Sequence, residues 1–439
     1  MTTKRLPQSE LRRRRRLLMD MMGDNSIAII PSAHEQVRNR DVHYPFRQDS
    51  DFMYLTDFLE PESVAVLIPE REQGEFILFC RERDVEKEIW DGWRIGQEGA
   101  VEQYGADDAF PIDDIDEILP GLLEQKQRVY YTMGKDPGFD GKLLDWINQL
   151  RGKTRIGRSP PHQFIDVAYL LHDMRLFKSR SEVALMRRAA QVSIRAHERA
   201  MQVCRPGMTE YQIEAEILHI FRQADTEPAY PSIVGGGINS CILHYTDNCC
   251  ELKDGDLLLI DAGAEYSGYA SDVTRTFPVN GRFSGPQREI YEVVLAAQEA
   301  AIAHALPGRH WNEPHEAAVQ VLTEGLASIG LLNGDAAQLI EDGHYKKFFM
   351  HKTGHWLGLD VHDVGDYKVD KEWRVLEPGM TLTVEPGLYM PPHSNDLDER
   401  WQHIGIRIED DVLITKDGNE VLTEALPKRV DDIEALMAG

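Results

Sequence analysis

The rhythm of hydrophobic and polar positions changes near residue 174. Before it, short apolar runs stand between helical or loop segments. Ser26-Ile-Ala-Ile-Ile30, Ser63-Val-Ala-Val-Leu-Ile68, Glu75-Phe-Ile-Leu-Phe-Cys80 and Arg128-Val-Tyr-Tyr-Thr132 each predict a strand. That alternation predicts a mixed, layered α/β unit over residues 1–173. The basic, turn-rich stretch from Arg151 to Pro161 leads toward a linker. After it the apolar positions fall at helical spacing. Leu185, Ala189, Val192 and Ala196 line one face of a helix that Ser179 or Ser181 can cap. Thr209-Glu-Tyr-Gln212 is a capping box ahead of Ile213, Ile217, Leu218 and Phe221. Helices reopen near Pro286, with Ile290, Val293, Val294 and Ala297 on one face, and at Asn312 with Pro314, carrying Val319, Leu322, Leu326 and Ile329 inward. Strands separate the two helix pairs and return at Met380–Glu385 and Ile404–Glu409. The order helix, helix, strands therefore occurs twice over residues 174–439, which predicts two similar halves.

The strands between the helix pairs carry the most informative chemistry. Asp256-Leu-Leu-Leu-Ile-Asp261 reads as buried, Ala264 to Gly268 as a turn, and Tyr269-Ala-Ser-Asp272-Val-Thr-Arg-Thr-Phe277 as the returning strand. A turn centred between Tyr266 and Ser267 sets Asp261 opposite Asp272, with Cβ atoms about 4.5–5.5 Å apart. Two carboxylates that close in an apolar hairpin repel each other and lose hydration, and a divalent cation neutralises them most directly. Further along stand His355, Glu385 before Pro386-Gly387, and Glu409. Taken singly, each has an ordinary explanation as a cap, a turn residue or a surface charge. Taken together, four carboxylates and one imidazole suit a hard divalent ion such as Mn²⁺ rather than a thiolate-type zinc site. Their charge exceeds what one ion cancels, which favours two ions about 4 Å apart sharing bridging carboxylates.

Composition narrows the rest. The chain has 439 residues, enough for two domains, and a formal charge of −26. So acidic a surface repels a nucleic-acid backbone. No apolar run approaches the roughly 20 residues of a membrane helix. The opening Met1-Thr-Thr-Lys-Arg-Leu-Pro7 lacks the apolar stretch of a secretory signal. The block Arg12 to Arg16 among Leu11, Leu17, Leu18, Met21 and Met22 predicts a helix with a solvated cationic face. Five irregularly spaced cysteines fit a reducing cytoplasm rather than a disulfide framework. Other motifs fail on chemistry. His351 and His355 have helical zinc-protease spacing, but Lys352 stands where the glutamate belongs and Gly354 breaks the helix. Cys241, His244, Cys249 and Cys250 lack zinc-knuckle spacing. Gly235-Gly-Gly237 has no following helix or ribose-binding acid, and there is no Gly-x-Ser-x-Gly elbow.

Six separated blocks resemble aminopeptidase P, the Xaa-Pro aminopeptidase family. They are Ile242-Leu-His-Tyr245, Asp261-Ala-Gly, Ser271-Asp-Val-Thr-Arg-Thr-Phe277, His355-Trp-Leu-Gly-Leu-Asp-Val-His-Asp363, Val384-Glu-Pro-Gly387 and Gly405-Ile-Arg-Ile-Glu-Asp410. Tyr44-Pro-Phe-Arg-Gln-Asp-Ser-Asp-Phe52 and Glu88-Ile-Trp-Asp-Gly92 extend the resemblance toward the start of the chain. It implies an α+β fold: a mixed α/β creatinase-like domain over residues 1–173, then a pita-bread catalytic domain of two similar halves over 174–439. It also implies two divalent ions, Mn²⁺ by expectation, with Asp272 and Glu409 bridging, Asp261 on one ion, and His355 and Glu385 on the other. A hydroxide shared by the ions would attack the carbonyl of an N-terminal Xaa-Pro bond, with Glu385 as proton shuttle. His244 and His362 would contact substrate, His351 would line the cleft, and Arg407 would orient carboxylates. The partners implied are peptides with proline in second position, acted on by a cytoplasmic homo-oligomer, dimer or tetramer. The aromatic stretch Trp90 to Trp93 suits such an interface. Prolidase, which takes only Xaa-Pro dipeptides, and a non-catalytic pita-bread binding module are the alternatives. One departure stands out: Lys352 occupies a position where many relatives carry glycine.

Overall fold

Apolar runs of the first unit pair into one sheet. The computed structural model describes residues 5–390 and 397–439, in two units, Met1–Met174 and Arg175–Gly439. Residues 1–4, the start of the stretch read above for a secretory signal, lie outside the described residues. In the first unit the strand order is Asp108–Pro111, Phe76–Cys80, Val64–Leu67, Ser26–Pro31, Arg128–Tyr130, Gln163–Ile165, with parallel and antiparallel neighbours mixed. The four central strands are the apolar runs of the sequence. The two edge strands were not legible there, because edges are half-covered and carry no continuous apolar run.

The basic block meets expectation only in part: Arg12, Arg13 and Arg16 are exposed. Arg14 and Arg15, on the Gln8–Met22 helix, are buried rather than solvated. They donate to the carbonyls of Tyr54 and Leu55 at 2.9 and 2.8 Å, at the last turn of the Ser50–Thr56 helix. Those carbonyls have no partner within their own helix, and the cations also suit the negative end of its dipole. Each guanidinium lies 4.1 Å from an aromatic ring centre, Tyr54 and Phe76 respectively. Leu17 and Met21 face solvent in their place.

In the second unit the caps at Ser179 and Thr209 are where the pattern put them, and a third, at Ser284, appears only in the structure. Ser179 with Glu182, Thr209 with Gln212, and Ser284 with Gln287 form reciprocal capping boxes on the helices Arg180–Val203, Glu210–Gln223 and Gly285–His304. The first half then runs as two helices followed by antiparallel strands, and the second as the helices Gly285–His304 and Glu313–Ser328, a short third helix Ala336–Glu341, and antiparallel strands. Ile233–Gly236, Leu257–Asp261 and Thr274–Pro278 form one sheet, and Thr381–Val384, Asp410–Ile414 and Asn419–Val421 another. Among the described residues no helix is long and apolar enough to cross a membrane.

The hairpin register differs from the expected one. Tyr266 pairs with Tyr269, so Ser267 and Gly268 occupy the turn, both at positive φ as a two-residue hairpin turn requires. Asp261 therefore faces Thr274, and Asp272 is its diagonal neighbour, two residues along on the same face. The returning strand is also interrupted, from Ser271 to Val273. Gly263 backs onto that break so closely that a Cβ there would lie 1.7 Å from the Ser271 carbonyl oxygen. Similarly, the expected strand over Ile404–Glu409 ends at Arg407, and Glu409 sits in the gap before Asp410.

The halves are joined at this gap. The Thr274 carbonyl accepts from the Glu409 amide, and Thr276 Oγ1 exchanges hydrogen bonds with the Arg407 backbone. Beneath it Arg275 and Asp410, both fully buried, pair at 2.7 Å, and Lys428 reaches Asp410 at 2.7 Å. Burial alone would raise the Asp410 pKa, but the Arg275 and Lys428 charges hold it below the ordinary carboxylate value. A depressed folded pKa contributes stability that is complete above the unfolded pKa, about 3.9, and is lost as pH falls through the lower folded one. Asp410→Asn is expected to lower unfolding free energy by about 3–5 kcal/mol at neutral pH, since it leaves Arg275 buried without a counter-charge. Urea unfolding at pH 7 and pH 3 checks this, and the deficit should shrink at the lower pH.

Candidate metal centre

Nine side chains singled out in the sequence line one cavity of about 280 Å³: Asp261, Asp272, His355, Glu385, Glu409, His244, His362, His351 and Arg407. Two strand ends supply the first carboxylates, Asp261 at the end of its strand and Asp272 in the break opposite Gly263. Glu385 directly follows the Thr381–Val384 strand, and its amide donates to the Thr353 carbonyl at 2.8 Å. Asp272, His355 and Glu409 each offer one ligand atom, all within 4.8 Å of one another. His355 Nε2 lies 3.3 Å from Asp272 Oδ2 and 3.7 Å from Glu385 Oε1.

Supporting groups aim these side chains. His355 Nδ1 donates to the Trp356 carbonyl at 2.9 Å, which turns Nε2 toward the carboxylates, as in histidines that ligate metals. The Tyr230 hydroxyl reaches Asp261 Oδ1 at 2.6 Å and Asp272 Oδ1 at 2.5 Å. Thr274 Oγ1 donates to Glu409 Oε2 at 2.6 Å, and Arg407 donates to Asp261 Oδ2 at 2.6 Å. Arg407 also donates to the Tyr389 hydroxyl at 3.0 Å, and that hydroxyl lies 2.9 Å from His351 Nε2. Because His351 Nδ1 donates to the Lys352 carbonyl, Nε2 is the acceptor for Tyr389. Tyr230, Thr274 and Tyr389 carried no signal in the sequence. Each acts through a partner distant in the chain; Tyr230 and Tyr389 lie outside the motif blocks, and Thr274, though inside Ser271–Phe277, does not stand out there. His244 and His362 are exposed at the cavity mouth, with the His362 ring 4.2 Å from that of His355.

The electrostatics are those of a crowded acidic pocket. Burial raises Glu385 to about 7 against the pull of His355 and Arg407. Burial, then the charges of Asp272, Glu385 and Asp261, lifts Glu409 well above the carboxylate range. Asp261 is raised by burial although Arg407 opposes it. Burial also opposes ionisation of Asp272, yet His355 and Tyr230 hold it below its ordinary value. His355 is lifted to about 9, the Asp272 contact outweighing burial. Burial and then Arg407 push His351 down to about 3, so it is neutral. Carboxylates raised by burial and by one another, with an imidazole presenting Nε2 among them, fit a divalent cation: oxygen donors and one nitrogen in a crowded acidic pocket.

Comparison with known proteins was made against this geometry. The model of metallopeptidase family M24 matches residues 184–416, and that of the aminopeptidase P N-terminal domain matches residues 11–130. Xaa-Pro aminopeptidase of Escherichia coli is 47% identical over 436 residues, covering 99% of this chain and 98% of the relative. The structure of Pseudomonas aeruginosa aminopeptidase PepP superposes with a TM-score of 0.98 at 59% identity, covering 99% of both chains. A zinc-substituted aminopeptidase P of Escherichia coli in complex with product superposes with a TM-score of 0.96 at 47% identity, covering 99% of this chain and 98% of the other.

Tyr230→Phe removes the one hydroxyl shared by Asp261 and Asp272. Its expected effect is about a 10- to 100-fold loss of divalent-metal affinity with little change in fold, the scale set by groups that orient metal ligands. Calorimetric titration of the metal-stripped protein with Mn²⁺, beside its circular dichroism spectrum, checks both halves of that expectation.

Proposed function

The chain belongs to metallopeptidase family M24, and from that premise we propose that it is a Xaa-Pro aminopeptidase, hydrolysing the bond between a peptide's N-terminal residue and a proline in second position. The observation that carries this reading is the Asp272, His355 and Glu409 group, with ligand atoms within 4.8 Å, in a chain similar from end to end to aminopeptidases of that specificity. The catalytic domain in this reading is residues 174–439, preceded by the creatinase-like domain over 1–173.

The donor set suits two divalent ions, and Mn²⁺ is the pair we propose. Asp272 and Glu409 would bridge them, Asp261 would hold one, and His355 and Glu385 would hold the other. When bound, the ions supply Lewis acidity, polarising the scissile carbonyl and making water available as a nucleophile at neutral pH. The protein's own groups do the rest. Glu385, at the end of the Thr381–Val384 strand and in the same cavity as the other ligands, would take a proton from the attacking water and deliver it to the departing proline nitrogen. His244 and His362, at the cavity mouth, meet the substrate. Arg407 fixes Asp261 and, through Tyr389, the neutral His351 that lines the cleft. An Xaa-Pro bond is a tertiary amide with no N–H, so general aminopeptidases that rely on that proton fail on it. Attack from a carboxylate-held site does not need it.

We also place the enzyme in the cytoplasm and read it as a homo-oligomer, dimer or tetramer. The five cysteines are free thiols, which suits a reducing compartment. Trp90 and Trp93 are 86% and 85% exposed near the Val85–Asp91 helix, a large apolar area for a partner subunit to cover.

The metal-loaded enzyme is expected to cleave Gly-Pro-X tripeptides. Activity on Gly-Pro-type dipeptides alone would make it a prolidase, and a dialysed protein with no metal and no Mn²⁺-stimulated turnover would make it a binding module. Asp272→Ala is expected to lower kcat/KM by at least about a thousandfold, on the scale of the several kcal/mol a catalytic ion contributes. Wild-type turnover in that variant would overturn the bridging role.

A further inference from the structure

A second cavity of about 480 Å³ adjoins the cleft, and Lys352 and Gly354 line both. Its walls are aromatic, formed by Trp311, Tyr367 and Trp373, with Trp311 and Tyr367 at a centroid distance of 4.7 Å. His315 Nδ1 lies 2.8 Å from Thr353 Oγ1 and anchors the short segment between the two cavities. The charge of this cavity is opposite to that of the chain. The protein has 74 acidic residues against 48 basic ones, yet the lining holds Lys352 and Lys368 and no carboxylate. Lys368 lies over the Trp373 ring, 4.3 Å from its centre. Among the described residues no carboxylate pairs with the Lys352 ammonium, whose side chain is exposed between the cleft histidines His351 and His355.

An unneutralised cation between the reaction cleft and an aromatic cavity has one obvious complement in a peptide. We propose that Lys352 is a specificity-determining residue that recognises a carboxylate on the leaving side of the substrate, one or two residues beyond the proline. The aromatic cavity takes the apolar part of that same residue. This rests on the Xaa-Pro aminopeptidase reading and refines it: the preferred substrates are short Xaa-Pro peptides whose α-carboxylate falls at Lys352, or longer ones with Asp or Glu there. Both sources present the same group to the ammonium. A partly exposed ion pair sets the effect at about fivefold, and added salt screens it.

The test uses the metal-loaded full-length enzyme and two peptide pairs. Ala-Pro-Ala is compared with its C-terminal amide, and Ala-Pro-Glu-Ala-amide with Ala-Pro-Gln-Ala-amide, so that the two carboxylate sources are read separately. Wild type is expected to favour the carboxylate member of at least one pair in kcat/KM, mainly through KM. Lys352→Met should cut that preference about fivefold, Lys352→Arg should keep it, and raising salt from about 0.05 M to about 0.5 M should erode it. Equal preferences in wild type and Lys352→Met across both pairs would overturn the proposal while leaving the function intact. Failure of wild type to cleave any of the four peptides would overturn the function itself and this refinement with it.

Discussion

Mutual repulsion among four buried carboxylates is the constraint around which the second unit is organised. Two unit charges 4 Å apart near a protein surface interact by about 4 kcal/mol, so Asp261, Asp272, Glu385 and Glu409 would push one another apart if nothing held them. Tyr230, Thr274, Arg407 and His355 each hold at least one of them, at 2.5 to 3.3 Å. These partners lessen the cost without cancelling it, and Asp261, Glu385 and Glu409 stay displaced upward, by burial first and by the neighbouring carboxylates second. A bound cation relieves the remainder, so metal affinity and the stability of this region are linked quantities.

The scaffold beneath the site is rigid for a related reason. The first half's Thr274–Thr276 and the second half's Arg407–Glu409 are tied through backbone and hydroxyl hydrogen bonds. The Arg275 guanidinium closes the seam from below, donating to the Glu409 carbonyl, to Asp410 and to the Leu426 carbonyl. Ligands from opposite halves are thereby fixed relative to each other by a buried network with little freedom to relax.

Local features were legible in the sequence and long-range ones were not. The caps at Ser179 and Thr209, the central apolar strands and the alternation of helix pairs with strands all depend on neighbours within a few residues. The hairpin around Asp261 was readable as a hairpin, but its register was set by Ser267 and Gly268, the pair able to adopt the turn's positive φ. Same-face geometry survived that one-step shift, because moving the turn centre by one residue moves the partner by two. The ligands themselves were found because acidic residues at strand ends are costly unless paired. Tyr230, Tyr389 and Thr274 escaped notice because a tyrosine or threonine needs no such excuse. Arg14 and Arg15 misled for the opposite reason, since a basic run looks solvated until its acceptor carbonyls are known.

Consider finally the three consecutive acids Glu409, Asp410 and Asp411. Side chains alternate along the backbone, so Glu409 joins the ligand group, Asp410 turns away to Arg275, and Asp411 returns to accept from the Asp272 amide. Deleting a single residue just ahead of this tripeptide would bring Asp410 to the ligand group and Val412 to the Asp272 amide, and inserting one would bring Glu409 to Arg275 and leave the ligand group without its acid. A deletion would offer the shorter aspartate to the cations, and an insertion the longer glutamate to the guanidinium. Either shift would leave one station without a carboxylate and another with one of different reach or partner, which makes chain length between the seam and the site as strict a requirement as the identity of any acid in it.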